Sequence, residues 1–201
     1  MNQTNLQNLI EVFIMAMAAL IVNGKLQKYW KLFKIKIKPH KADLKYQINQ
    51  LTKELETRMS ERMGCLVCVN VWQFENGTQS MAGYVFEYFK LICHQSTHGF
   101  FTVQMYDRVR VEPYIEFVKQ LNDADSCVIN SVNDERTSDA HKSLLNELGL
   151  KMAFDMKFNK DVYKGFVSVG LAEYKPIEPA DISLVREYTI AIYNRIKVLA
   201  A

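Results

Sequence analysis

The sequence predicts an α+β domain preceded by a single N-terminal transmembrane helix. Three observations carry this. Apolar residues recur at three- and four-residue steps at both ends of the domain, over residues 42–63 and 178–199, which is the period of an amphipathic helix. Between them lie short segments that alternate apolar and polar residues, the period of a strand. Before all of these comes an almost uninterrupted apolar run.

That run reads LQNLIEVFIMAMAALIV from Leu6 to Val22, and Glu11 is the one charge in it. Leu9, Ile10, Val12, Phe13, Ile14, Leu20, Ile21 and Val22 would face lipid, at the short end of the length that crosses a bilayer core at about 1.5 Å per residue. Trp30 falls where interfacial aromatic residues sit, and Lys25, Lys28, Lys31, Lys34, Lys36 and Lys38 form a basic collar. No basic residue precedes the run, so the positive-inside rule places the C-terminal domain in the cytoplasm of a single-pass membrane protein. Two other readings of the run are a cleaved signal peptide, suggested by Ala16-Met17-Ala18, and a helix buried in an assembly; the first lacks a basic leading region.

Charge is divided along the chain. Residues 1–41 carry seven lysines and one acid, and the remaining 160 residues carry 18 basic and 21 acidic side chains. The basicity therefore belongs to the segment beside the expected span, where it attracts anionic lipid, and the domain has no excess that would suit nucleic acid. The boundaries expected are 1–24 for the span, 25–41 for the basic juxtamembrane segment and 42–201 for one domain.

Within the domain, Leu44, Ile48, Leu51, Leu55 and Met59 form the stripe of a leading helix. CLVCVNVWQFENG then reads as a strand ending in an Asn76-Gly77 turn, and GYVFEYFKLICHQ as its hairpin partner. The pattern loosens from Ser96 to Val111, and Pro113 opens a short helix over PYIEFVKQL. SCVINSV is a strand, Asp134 to Leu148 a helix with Gly149 as its C-cap, and LKMAFDMKF and VYKGFVSVGLAEY are strands joined at Asn159-Lys160-Asp161. The closing helix starts at EPAD and packs through Ile182, Val185, Ile192, Tyr193 and Ile196.

No catalytic constellation is found. Cys65 and Cys68 have a CxxC spacing, but strand positions three apart face opposite ways and no second pair follows. Cys93, His94, His98 and His141 are the residues that a metal would have to gather, and scattered histidines of this kind are more often core or surface residues, so no metal and no cofactor is expected. The four cysteines read as free thiols.

The order of elements, together with NELGLKMAFDMKF and KGFVSVGLAEYKPIEPADISLVREYTIAIYNRI, resembles the GAF domain over roughly Lys41 to Leu199. The resemblance implies an antiparallel sheet of about six strands with flanking helices, and a pocket beside the sheet that in some members takes cyclic nucleotides, tetrapyrroles or other small molecules. His94, Asp107 and Arg108 are the pocket candidates that follow from it. The Asn-Lys-Phe-Asp-Glu-type motif of the cyclic-nucleotide members is absent, and Asn133-Asp134-Glu135 only echoes it. Cys93-His94 echoes the attachment pair of bilin-binding relatives, but in a strand instead of a helix. The architecture also resembles the T-even phage holin, a family whose domain lies in the periplasm.

These readings converge on a non-enzymatic, membrane-anchored GAF-like sensory or protein-interaction module. Its expected partners are the lipid bilayer, a second copy of itself through the leading or closing helix, and a protein or small-molecule ligand. The alternative is a phage-encoded membrane protein, either holin-like or virion-associated. A cryptic enzyme would need a constellation that the sequence does not contain.

Overall fold

The computed structural model describes residues 41–76, 86–96, 108–125, 127–158 and 165–199. The expected span, Trp30 and the lysine collar lie outside the described residues, as do Asp107, His98 and the turn at 159–161. Among the described residues no helix is long and apolar enough to cross a membrane.

The elements run α1 (Lys41–Met63), β1 (Val67–Asn76), β2 (Phe86–Ser96), β3 (Arg108–Arg110), a 3-10 turn (Glu112–Tyr114), α2 (Ile115–Asp123), β4 (Val128–Ser131), α3 (Asp139–Glu147), β5 (Met152–Lys157), β6 (Phe166–Leu171) and α4 (Pro179–Leu199). The six strands form one sheet in the order β3-β2-β1-β6-β5-β4, antiparallel at every pairing. The sheet is thus the one that the GAF resemblance implies.

Strand pleating divides the molecule into two cores. Val67, Val69 and Val71 of β1, Val167, Val169 and Leu171 of β6, and Met152, Phe154 and Met156 of β5 all point to one face. There they meet Ile48, Leu55 and Met59 of α1 and Val185, Ile192 and Ile196 of α4. Each such side chain, fully buried, contributes roughly 1.5–3 kcal/mol. The stripe predicted for the leading helix therefore packs on its own domain.

The two helices are antiparallel and pinned at both ends. Arg62 Nε donates to Asp181 Oδ1 at 2.7 Å, and Arg195 Nε donates to Gln47 Oε1 at 2.8 Å. Asp181 also accepts the Glu178 backbone N–H at 2.9 Å, which caps the first turn of α4 just inside Pro179.

The opposite face carries Cys68, Asn70, Trp72, Phe74, Phe89, Phe166 and Ala153, covered by α2 and α3. A register shift between Val71 and Trp72 puts an extra residue into β2, so Cys93 opposes Val71 while Leu91 opposes Trp72.

Two features differ from the sequence expectation. The helix expected from Asp134 begins at Asp139, because Ser138 accepts the His141 N–H as N-cap and Asp134 accepts the Arg136 N–H in a preceding turn. Gly149 does close it, at φ +64°. The loosened stretch before Val111 contains β3, a three-residue strand held by Tyr88–Lys90 and too short to alternate visibly.

Gly165 enters β6 at φ +131°, and a Cβ there would collide with the Trp72 carbonyl oxygen and lie 2.6 Å from the Phe158 ring. Gly165→Ala is expected to destabilise the domain by at least about 2 kcal/mol. Urea unfolding of both proteins checks this, and a difference within experimental error would contradict the geometry.

Candidate functional site

The register of the central strands writes a polar row across the outer face. His94 opposes Asn70, Asn70 opposes Ser168, and Ser168 opposes Asp155, on β2, β1, β6 and β5 in turn. One side of this row is small, with Cys68, Gly170 and Ala153. The other side is aromatic: Trp72 opposes Phe166, their rings stacked with centroids 6.4 Å apart, and Phe117 from α2 meets Phe166 edge-on at 5.4 Å.

Over this floor α3 leaves a cavity of about 50 Å³. Its walls include Asn70, Ser168 and Asp155 from the polar row, Trp72, Phe117 and Phe166 from the aromatic one, and His141, Leu144, Leu145 and Leu148 from the α3 region. Leu144, Leu145 and Leu148 are therefore the roof.

Two buried titratable groups define the site. Asp155 is 1% exposed; Asn130 Nδ2 donates to its Oδ2 at 3.3 Å and Ser168 hydrogen-bonds it as well. Loss of water outweighs these two bonds, so the carboxyl is pushed up to about 6. His141 is 5% exposed, stands edge-on to Phe117 with ring centroids 4.8 Å apart, and its Nδ1 has no hydrogen-bond partner among the described residues. Burial pushes its imidazole down to about 4, which keeps the ring neutral near pH 7.

The residues predicted for a pocket are distributed differently. His94 is half-buried at the edge of the site, its Nδ1 2.6 Å from Asn70 Oδ1, and it reaches the cavity only through that Asn70 wall. Desolvation lowers its pKa. Arg108 is exposed on β3, with its Nε 2.9 Å from Glu75 Oε2 and its guanidinium 4.1 Å from the Tyr88 ring centroid, and it does not line the cavity. Asp107 lies outside the described residues. The sequence reading missed Asp155, Asn70 and Ser168, and weighed His141 only as a metal ligand. A signal was present in MAFDM, where a single acid interrupts an apolar strand and must be buried whichever face it takes.

The cysteines follow the pleat. Cys93 faces the helix side, donating to Asn49 Oδ1 at 2.8 Å, while His94 faces the cavity side. They cannot join one metal site or one attachment site on the outer face. Cys68 is under Leu150 near the cavity, and burial pushes its thiol up to about 12. None of the four cysteines forms a disulfide. A tetrapyrrole does not fit either, since sites for ligands of drug or cofactor size occupy roughly 300–1,000 Å³, against about 50 Å³ here.

Asp155 and His141 oppose each other in their effect on stability. Asp155 rises from 3.8 to about 6 on folding, so its cost is absent below pH 4, grows between pH 4 and 6 and is complete above, on the order of 3 kcal/mol. His141 falls from 6.5 to about 4, so its neutral burial costs nothing above pH 6.5 and a similar amount once pH drops below 4. In the wild type the two windows overlap and offset. Asp155→Asn is expected to exceed the wild type by up to about 3 kcal/mol above pH 6 and to match it below pH 4. Denaturant unfolding from pH 4 to 7.5 checks this; an advantage that does not depend on pH would show that the carboxyl is not the cause.

No protein-family profile matches the sequence, and no curated protein matches it. Solved structures do share the fold. One is the chromophore-binding domain of an unusual bacteriophytochrome from R. palustris, with TM-score 0.53 and 11% identity over 76% of this chain and 56% of that chain. A second is the GAF domain/HD domain protein from Geobacter sulfurreducens, with TM-score 0.52 and 10% identity over 81% of this chain and 99% of that one. A third is the phycocyanobilin-bound GAF domain from a cyanobacterial phytochrome, with TM-score 0.53 and 11% identity over 79% of this chain and 97% of that one. The described unit has a GAF-like fold.

Proposed function

We propose that this chain is a non-catalytic, membrane-tethered module whose GAF-like unit senses a small molecule in the cavity under α3. The observation that carries the reading is the meeting, in one cavity, of a buried carboxylate and an imidazole nitrogen without a partner among the described residues. The carboxylate has lost its water and the nitrogen has no partner among the described residues, which is the pattern of groups kept for a ligand. Solved domains of this fold include a chromophore-binding one and a phycocyanobilin-bound one, which supports a small-molecule role.

The non-catalytic part rests on the nucleophiles. Burial raises the pKa values of Cys65, Cys68 and Cys93, so their thiolates are scarce at neutral pH. The tether rests on the run from Leu6 to Val22 and on the lysines after it, which also orient the domain to the cytoplasm. Self-association belongs to the same reading and is supported by Tyr46 on α1 and Ile190 and Val198 on α4, which stay exposed. Nothing in the folded unit favours the lysis-protein alternative.

Two measurements test this. A thermal-shift screen of the full chain against small molecules is expected to find compounds that raise Tm, by about 2.7 kcal/mol of stabilisation at a hundredfold excess over Kd. Ala153→Leu, which fills the cavity floor, should abolish the response; compounds whose effect survives that substitution would place binding elsewhere. For the tether, the full chain should resist alkaline carbonate extraction from membranes, and deleting residues 1–24 should release it. Equal extraction of both proteins would remove the membrane part.

A further inference from the structure

The cavity has a charge character of its own. Asp155 is the one carboxylate among its described lining residues, and none of them is Lys or Arg. The Asp155 carboxylate accepts from Asn130 and Ser168, both on the sheet, and an ionised carboxylate has about four lone-pair sites. Its remaining accepting capacity is buried with no protein cation to use it. An anion brought into this space would meet an unscreened like charge. A neutral ligand would leave the carboxylate as it is.

The other walls favour the same sign. Trp72, Phe117 and Phe166 line the site, and aromatic rings attract cations most strongly where water is excluded. His141 stays neutral, so it adds no repulsion, and in the tautomer protonated at Nε2 its bare Nδ1 accepts one further N–H. Size limits the occupant. At roughly 10–15 Å³ for each water-sized position, 50 Å³ admits a group of a few non-hydrogen atoms.

We infer that the cavity takes a compact organic cation, an ammonium or amidinium group, held between the Asp155 carboxylate and the rings of Trp72, Phe117 and Phe166, with His141 Nδ1 accepting a second N–H. This rests on the small-molecule reading above and names the chemistry of that ligand. The ionised carboxylate is the form that binds, and Tyr114 and His141 are the other titratable groups facing the cavity. Burial raises the Tyr114 pKa, so both stay uncharged through the range where Asp155 titrates. Affinity for the cation therefore rises as pH passes upward through 6 and then levels off.

The experiment titrates the full chain, in detergent, with four probes of similar size: ethylammonium, guanidinium, acetamide and acetate, each followed by ligand-observed NMR at pH 5 and pH 7.5. The expected result is that at least one cation binds ten times or more tightly than acetamide at pH 7.5, that its affinity drops several-fold at pH 5, and that acetate does not compete. Asp155→Asn should remove the preference, bringing the cation to the level of acetamide, with its fold checked by circular dichroism. Ala153→Leu should block every probe that binds the wild type. If acetamide or acetate binds as well as the cations, or if Asp155→Asn leaves cation affinity unchanged, the inference is overturned while the small-molecule reading stands. If none of the four probes binds and the thermal-shift screen also finds nothing, both fall together.

Discussion

Every feature of the site follows from the register in which β1 runs against β6, where Val69 faces Val169 and Asn70 faces Ser168 on neighbouring rungs of one ladder. Because side chains alternate with a period of two, this single alignment sends one set of residues to the paired helices and the other to the cavity. A slip of β1 by one residue would put Asn70 into the helix-side core and Val69 and Val71 into the site. The apolar side, with α1 and α4 closed over it, makes such a slip too costly. The large core thus sets the position of the small one.

What the outer face does with that position is unusual for a structural surface. The row from His94 to Asp155 is polar, and its far end is fully buried. A well-packed apolar residue in place of Asp155 would serve stability better at neutral pH. Aromatic residues on one flank and the α3 leucines above lower the local dielectric around the carboxylate.

The two titratable groups also act on each other's consequences. Asp155 is penalised at neutral pH and His141 at acid pH, so together they spread the cost of the site over the pH range. A ligand that neutralises the carboxylate removes its penalty and stabilises the domain in the same step. The thiols stand apart from this: Cys93 is bound to Asn49 on the helix side, and Cys68 sits under Leu150 in the small-residue row.

Periodicity alone determined the class of the fold and most of its elements. The stripe from Leu44 to Met59, the alternation from Val67 to Trp72, the Gly149 cap and the closing helix from Pro179 were each legible, because each depends on neighbours within a few residues. The apolar run and lysine collar of the first forty residues are read from sequence in the same way. Shorter features were not: β3 exists only because Tyr88–Lys90 offer it an edge, and the start of α3 was settled by Ser138 capping it in competition with the turn at Asp134. The site was beyond local reading for the same reason. Asn70, Ser168 and Asp155 lie far apart along the chain, and nothing in their spacing says that they share a row. Arg108, beside the expected pocket in sequence, was drawn to Glu75 and Tyr88 at the exposed edge. Only the pairing of distant strands decided which polar residues met in the dark and which stayed in water, since burial is a property of the assembled sheet and helices.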